Sequence, residues 1–180
     1  MSRGKPHAYK TVDSPVGRLT LVATDDGLAG ILWENDRPRR VRLNLETEDE
    51  RHPVLVETAR QLTEYFAGER QEFALKLDVA GTAFQRKVWS ALRTIPFGAT
   101  RSYGQIAKQI GHPRAVRAVG AANGRNPVSI VTPCHRVIGS TGKLTGFAAG
   151  LDVKARLLAF EEANGGVSHE IRVEPVSHQI

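Results

Sequence analysis

The sequence predicts an α+β protein in two parts. A small α/β-type N-terminal domain covers residues 1–80, a mostly helical domain with a helix-turn-helix covers 81–165, and a polar tail follows at 166–180. Three observations predict this. The first 33 residues alternate short β-branched or apolar runs with turn residues, the pattern of a small antiparallel meander. Beyond residue 83 the apolar residues recur at helical spacing instead. The charge changes with the pattern: residues 1–80 hold 12 Lys and Arg against 14 Asp and Glu, whereas residues 81–180 hold 13 against 5, so the second half supplies the net charge of +6.

In the first part, "RLTLVA" and "LAGILW" read as strands, with turns at "SPVG" and "TDDG". "RPRRVRLNLETEDERH" reads as an exposed connection. "PVLVETARQLTEYFAG" reads as a helix with Val56, Ala59, Leu62 and Phe66 on its apolar stripe and Gly68 as its stop. "FALKLDVA" reads as a short strand, and the domain boundary falls near Gly81. In the second part, "AFQRKVWSALRTIP" places Phe84, Val88 and Leu92 on one face, with Pro96 ending the helix. "SYGQIAKQIG" is a short helix with Ile106, Ala107 and Ile110 inward, and "HPRAVRAVGAANG" follows a turn at 111–113 as the second helix of the pair. That helix carries Ala115, Ala118, Gly120, Ala121 and Ala122 together with Arg114 and Arg117. Tight helix packing alone would explain the small residues. The two arginines in a stretch where Asp152 is the only acid between Gly81 and Phe160 point to a nucleic-acid surface.

Composition excludes several classes. With 41% hydrophobic residues and mixed charge the chain is globular and soluble rather than disordered. Its one cysteine forms no internal disulfide and excludes a zinc site built on several cysteines. The start lacks the apolar core of a signal peptide, and no apolar run approaches the roughly 20 residues that span a bilayer. These features predict an intracellular protein with no membrane partner.

That cysteine, Cys134, lies in "SIVTPCHRVIG". A lone intracellular cysteine is most often a buried small apolar residue. Here His135 and Arg136 follow directly, and such groups favour the nucleophilic thiolate. An apolar strand "VSIVT" leading into a stiff Pro133-Cys134 step would hold the sulfur in one place. Neighbouring side chains of a strand face opposite ways, so either the chain turns here or a water links Cys134 to His135. A third group should orient the histidine. Glu161, near the end of a helix that begins near Leu151, is the candidate among the acids Asp152, Glu161, Glu162, Glu170 and Glu174.

"NGRNPVSIVTPCHRVIG", with "TGFAAGL", "LLAFE", "AFQRKVW", "IPFGATRSYGQIA" and "RAVRAVGAANGRNP", closely resembles the O6-alkylguanine-DNA alkyltransferases, also called methylated-DNA–protein-cysteine methyltransferases. The likeness is strong over about residues 80–162. It implies a ribonuclease-H-like N-terminal domain and a winged-helix-like C-terminal domain that binds the minor groove of double-stranded DNA as a monomer. It further implies flipping of the damaged guanine and irreversible transfer of its O6-alkyl group, with O4-alkylthymine as a further substrate class. By this resemblance Cys134 accepts the alkyl group, His135 acts through water as base, Glu161 orients it, and Asn126 braces the turn and joins that network. Tyr103 helps turn the base out and donates to the departing guanine, and Arg117 fills the gap in the duplex. Val137 and Ala148 supply main-chain groups to the guanine edge, Phe147 lines the pocket, and Ser140 and Gln85 touch phosphates. No cofactor is implied. Some relatives hold zinc through N-terminal cysteines that this chain lacks, so no metal is expected. Phe147 to Ala149 replaces a tyrosine-serine-glycine found in some relatives, which removes a hydroxyl and a side-chain donor. The family setting implies cytoplasm, or nucleus in a eukaryote. The rival readings are a non-catalytic binder of damaged or specific DNA through the helix-turn-helix, and a thiol hydrolase. The fate of Cys134 separates them, because only a suicide transfer consumes it.

Overall fold

The computed structural model describes residues 5–37 and 39–165; the tail expected at 166–180 lies outside the described residues. The chain divides into two compact units, Met1–Ala80 and Gly81–Ile180. A sheet-and-helix unit followed by a helical one is the α+β organisation that the patterning anticipated.

In the first unit, β1 (Ala8–Val12), β2 (Leu19–Thr24) and β3 (Gly27–Trp33) form the antiparallel meander. A short β4 (Thr47–Glu48) adds parallel to β1, giving the order β3-β2-β1-β4. The connection expected to be exposed is therefore partly structural. Within it Arg40 is buried, its guanidinium donating to both oxygens of Asp36 and to the Ile31 carbonyl. Helix α1 (Pro53–Phe66) starts on a His52 cap and stops where Gly68 takes φ +78°. Its buried face is Leu55, Thr58, Gln61, Leu62 and Tyr65, while Val56 faces solvent. The expected stripe was one residue out because two buried positions are polar. Thr58 donates to the Val54 carbonyl, and the Gln61 amide donates to the Ala74 carbonyl and accepts from the Ala74 N–H, so neither leaves a group unsatisfied. "FALKLDVA" is not a strand of the sheet. It meets β3 at a single bridge, Leu28 with Leu77, through Leu28 N–H to the Lys76 carbonyl and Asp78 N–H to the Leu28 carbonyl. Gly27 permits that approach, since a Cβ there would lie 2.7 Å from the Lys76 oxygen.

In the second unit, α2 (Ala83–Leu92) opens on a reciprocal capping box between Thr82 and Gln85, and α3 (Tyr103–Gln109) on another between Ser102 and Gln105. α2 buries Val88, Trp89, Ala91 and Leu92, with Phe84 only half-buried against the His112 ring. α3 buries Ile106 and Ala107, leaves Ile110 half-buried, and ends where Gly111 takes φ +82°. α4 (Val116–Gly124) completes the helix pair, held to α2 by the Trp89 indole N–H donating to the Ala122 carbonyl at 2.8 Å. Arg114 sits in the turn before α4 rather than on it. Val119, Ala122 and Asn123 face inward, whereas Arg117, Ala118, Ala121 and Arg125 face outward. Ser102 and the residue before it also form β5 (Arg101–Ser102), parallel to β6 (Val137–Ile138), and α5 (Leu151–Ala163) closes the unit. No helix among the described residues is long and apolar enough to cross a membrane.

Candidate active site

The strand expected at "VSIVT" is instead a compact run of turns. Thr132 N–H donates to the Val128 carbonyl, Val131 N–H to that of Ser129, and Cys134 N–H to that of Thr132 at 2.8 Å. Ile130, buried and β-branched, takes φ +74°, a conformation such residues rarely adopt and one that costs on the order of 1–3 kcal/mol. Asn126, fully buried, staples the run from inside: its amide donates to the Thr132 carbonyl at 2.8 Å and its side-chain oxygen accepts from Val128 N–H. The chain then makes a 3₁₀ turn at Cys134–Arg136, so the geometric difficulty of a straight strand does not arise.

The turn places Cys134, His135 and Arg136 in the interior of the unit. His135 Nε2 lies 2.8 Å from Glu161 Oε2 on α5. Arg136 forks onto the same carboxylate, Nε to Oε1 at 2.8 Å and a terminal nitrogen to Oε2 at 2.9 Å, and donates to the Ile95 carbonyl. Burial alone would push the Glu161 pKa up, but His135 and Arg136 outweigh it and hold the carboxyl well below its usual range. Burial holds His135 below its ordinary value of 6.5 despite Glu161. A neutral imidazole that donates from Nε2 to a carboxylate carries its lone pair on Nδ1. That Nδ1 is buried and has no hydrogen-bond partner in the protein, which is the state of a base awaiting a proton.

A second group of side chains links α3, the loop 139–150 and α5. Tyr103, first residue of α3, shares a hydrogen bond of 2.9 Å with the Thr145 hydroxyl. Burial first, and the negative charge of a Cys134 thiolate after it, raise the Tyr103 pKa, so the phenol keeps its proton. Phe147 and Ala148 are half-buried in the loop 139–150, and Lys154 of α5 sits over the Phe147 ring. Val137 is buried in β6 with its N–H already donated to the Cys134 carbonyl.

Arg117, Ser140 and Gln85 lie outside this cluster. Arg117 and Ser140 are exposed. Gln85 closes the α2 capping box with its amide oxygen, a structural duty the sequence reading did not assign it. Four contributors escaped that reading: Arg136 as the fork on Glu161, Asn123 reaching the Cys134 carbonyl, Thr145, and Lys154. One signal was available: Lys154, Leu157 and Glu161 share one face of α5 at helical spacing, so a lysine in that row is buried. Among the described residues no group of three or more His, Cys, Asp or Glu is placed to hold a metal ion.

Residues 83–163 match the family model described as the DNA-binding domain of 6-O-methylguanine DNA methyltransferase, and residues 8–79 match its ribonuclease-like domain. A methylated-DNA–protein-cysteine methyltransferase of Mycolicibacterium paratuberculosis is 52% identical, over 89% of this chain and 95% of its own. One from Methanosarcina acetivorans is 47% identical over 85% and 97%. Among solved structures, the Mycobacterium tuberculosis protein called OGT, crystallised in complex with DNA, superposes with a TM-score of 0.80 at 48% identity, over 87% of this chain and 94% of that one. With both halves matched by one family and relatives about half identical over nearly their full length, this chain belongs to the 6-O-methylguanine DNA methyltransferases.

Proposed function

We propose that the protein repairs O6-alkylguanine in double-stranded DNA by moving the alkyl group irreversibly to Cys134. One observation carries the reading: the only cysteine of the chain sits on a buried turn beside a neutral histidine whose Nε2 is committed to Glu161 and whose Nδ1 is free. Nδ1 takes the thiol proton through a water. The thiolate attacks the alkyl carbon, a carbon–sulfur bond forms as the carbon–O6 bond breaks, and the electron pair leaves with guanine. Tyr103, which holds its proton, donates it to the departing base. The product is a thioether that nothing in the site can reverse, so each molecule acts once.

The remaining roles follow the same reading. Asn126 keeps the turn in shape. The Val137 carbonyl and the Ala148 main chain read the guanine edge, with Phe147 as a wall of the base pocket. Arg117 enters the duplex from α4, whose outward alanines let the helix lie deep in the minor groove. Ser140 and the Gln85 amide NH2 touch phosphates. Residues 81–165 carry these functions, as the match of the DNA-binding family model to 83–163 supports. The protein acts as a monomer, and the bacterial and archaeal sources of its relatives support a cytoplasmic site of action.

The test is the intact mass of the protein after incubation with a duplex carrying O6-methylguanine. The expected result is one added methyl group per molecule, mapped to Cys134 and absent from Cys134→Ala. Tight binding with unchanged mass would overturn the transfer and leave a non-catalytic binder.

A further inference from the structure

Thr145 ties three elements of the C-terminal unit together at one point. Its hydroxyl lies 2.9 Å from the Tyr103 hydroxyl at the start of α3. Its carbonyl accepts from the buried Lys154 ammonium of α5 at 3.0 Å. Its methyl group packs beside Gly139, just after β6, where an added Cβ would lie 3.6 Å from Thr145 Cγ2. A β-branched side chain held by its backbone and its methyl group has its hydroxyl direction set as well, here towards Tyr103. The phenol ring is flanked by α4, where a Cβ added to Gly120 would lie 3.9 Å from Tyr103 Cδ1 and Cε1. Both hydroxyls therefore meet from anchored positions. Two hydroxyls joined by one hydrogen bond hold two protons: one lies between the oxygens and the other points outward. Rotation about each C–O bond exchanges donor and acceptor without moving a heavy atom.

We propose that Thr145 is the positioning residue of the Tyr103 proton: its hydroxyl donates to the phenol oxygen, turns the phenol hydrogen towards the departing guanine, and holds the phenolate left when that hydrogen transfers. This rests on the transfer to Cys134 and on Tyr103 as its proton donor, and adds the group that makes Tyr103 fit for the task. As the carbon–O6 bond breaks, its electron pair stays with guanine, and the Tyr103 O–H bond breaks as an N–H or O–H bond forms on the base. The phenolate then recovers a proton through water, matching the one His135 takes from the thiol. A hydrogen bond to an ionised oxygen is stronger than one to a neutral oxygen, so the Thr145 bond tightens as the phenol gives up its proton. A contact that strengthens in this way lowers the barrier rather than merely holding the ground state. The influences on Tyr103 divide accordingly. Burial, the largest, and the charge of Cys134 keep the proton on the phenol, whereas the Thr145 hydroxyl eases it off. Lys154 secures the arrangement from behind, because the ammonium that holds the Thr145 carbonyl also rests 5.9 Å from the Phe147 ring centre.

The experiment compares Thr145→Val, which keeps the shape and loses the hydroxyl, with Thr145→Ser, which keeps the hydroxyl. Single-turnover transfer from a duplex carrying O6-methylguanine should slow about tenfold in Thr145→Val and stay within about threefold of wild type in Thr145→Ser. In a Tyr103→Phe background the same valine substitution should cost less than about twofold, because the residue through which it acts is gone. Thr145→Val at the wild-type rate overturns the proposal, as does Thr145→Ser as slow as Thr145→Val, or an undiminished valine effect in Tyr103→Phe. Thr145 is half-buried, and Thr145→Ala is a second hydroxyl-free variant with the same expected outcome should the valine not fold. A further measurement needs no alkylated DNA, so it separates failure of this proposal from failure of the repair reading. The full-length chain is labelled with 3-fluorotyrosine, the Tyr103 signal is assigned by its loss in Tyr103→Phe, and its fluorine resonance is followed against pH. The Tyr103 midpoint should lie at least about half a pH unit higher in Thr145→Val than in the wild type or Thr145→Ser. An unchanged midpoint overturns the proposal even where transfer to Cys134 proceeds.

Discussion

Burial sets the protonation of His135, and its neighbours divide over it: Glu161 favours the charged ring, while Arg136 and Lys154 oppose it. The outcome is a pKa below 6.5. Falling pH puts a proton on Nδ1 and removes the base, so the single-turnover transfer rate should decline on the acid side with a midpoint below 6.5, and a midpoint above that value would contradict the assignment. Glu161 owes its ionisation to the same cluster. Arg136→Met takes both hydrogen bonds of the guanidinium fork away from the buried Glu161 carboxylate. Breaking a buried pair in this way costs roughly 3 kcal/mol or more. The variant should melt several degrees lower and transfer more slowly; an unchanged melting temperature would show that the fork carries little. Cys134 and His135 stood out in the sequence through adjacency and residue type, whereas Glu161 was one candidate among five acids until the fold set it 2.8 Å from His135 Nε2. Arg136 stood out as a neighbour of Cys134 but not as the fork on Glu161, and Lys154 did not stand out at all, because a charged side chain looks solvated until the fold shows what buries it.

At the scale of the element, the sequence reading succeeded where one physical cause dominates and failed where two compete. The meander and the α3–α4 pair follow from strong periodicity and from glycines at positive φ. The run 128–132 has the β-branched content of a strand, yet Asn126 claims its backbone groups and Ile130 turns through φ +74°. Side-chain satisfaction of backbone groups overrode propensity there, as it did on α1, where buried Thr58 and Gln61 displaced the apolar stripe. α3 offers a sharper test, because its cap Ser102 immediately precedes Tyr103. Ser102→Ala removes the acceptor for Gln105 N–H and half of the capping box, which is worth about 1 kcal/mol. In a chain of this size thermal unfolding should move down by about 2–4 °C. The transfer rate should also fall, because the cap fixes the first turn from which Tyr103 projects. Loss of stability with full activity would separate the cap from the placement of that tyrosine.

Across the whole molecule, the two units use their cations differently, and this bears on which residues meet DNA. In the N-terminal unit basic side chains are spent on carboxylates: Lys5 on Asp26 and Asp78, Arg40 on Asp36, Arg60 on Glu57 and Glu64, Arg70 on Glu64. In the C-terminal unit His135 and Arg136 both pair with Glu161. Arg86, Arg93, Lys108, Arg114, Arg117 and Arg125 are exposed and make no ion pair there. Uncompensated cations hold phosphates by releasing counterions, and each contact contributes about −0.9 to the slope of log affinity against log salt. Affinity for an undamaged duplex, read by fluorescence anisotropy between low and physiological salt, should therefore fall steeply for the wild type. Arg125→Ala should flatten the slope by about one if Arg125 meets a phosphate, and should weaken binding to all duplexes alike. Arg60→Ala should leave the slope unchanged, because Arg60 already answers Glu57 and Glu64. Arg117→Ala separates the two duties of the basic face. If its side chain replaces the flipped base inside the helix, transfer to Cys134 should slow far more than undamaged-duplex affinity weakens. A loss of affinity that accounts for the whole loss of rate would make Arg117 one more phosphate contact.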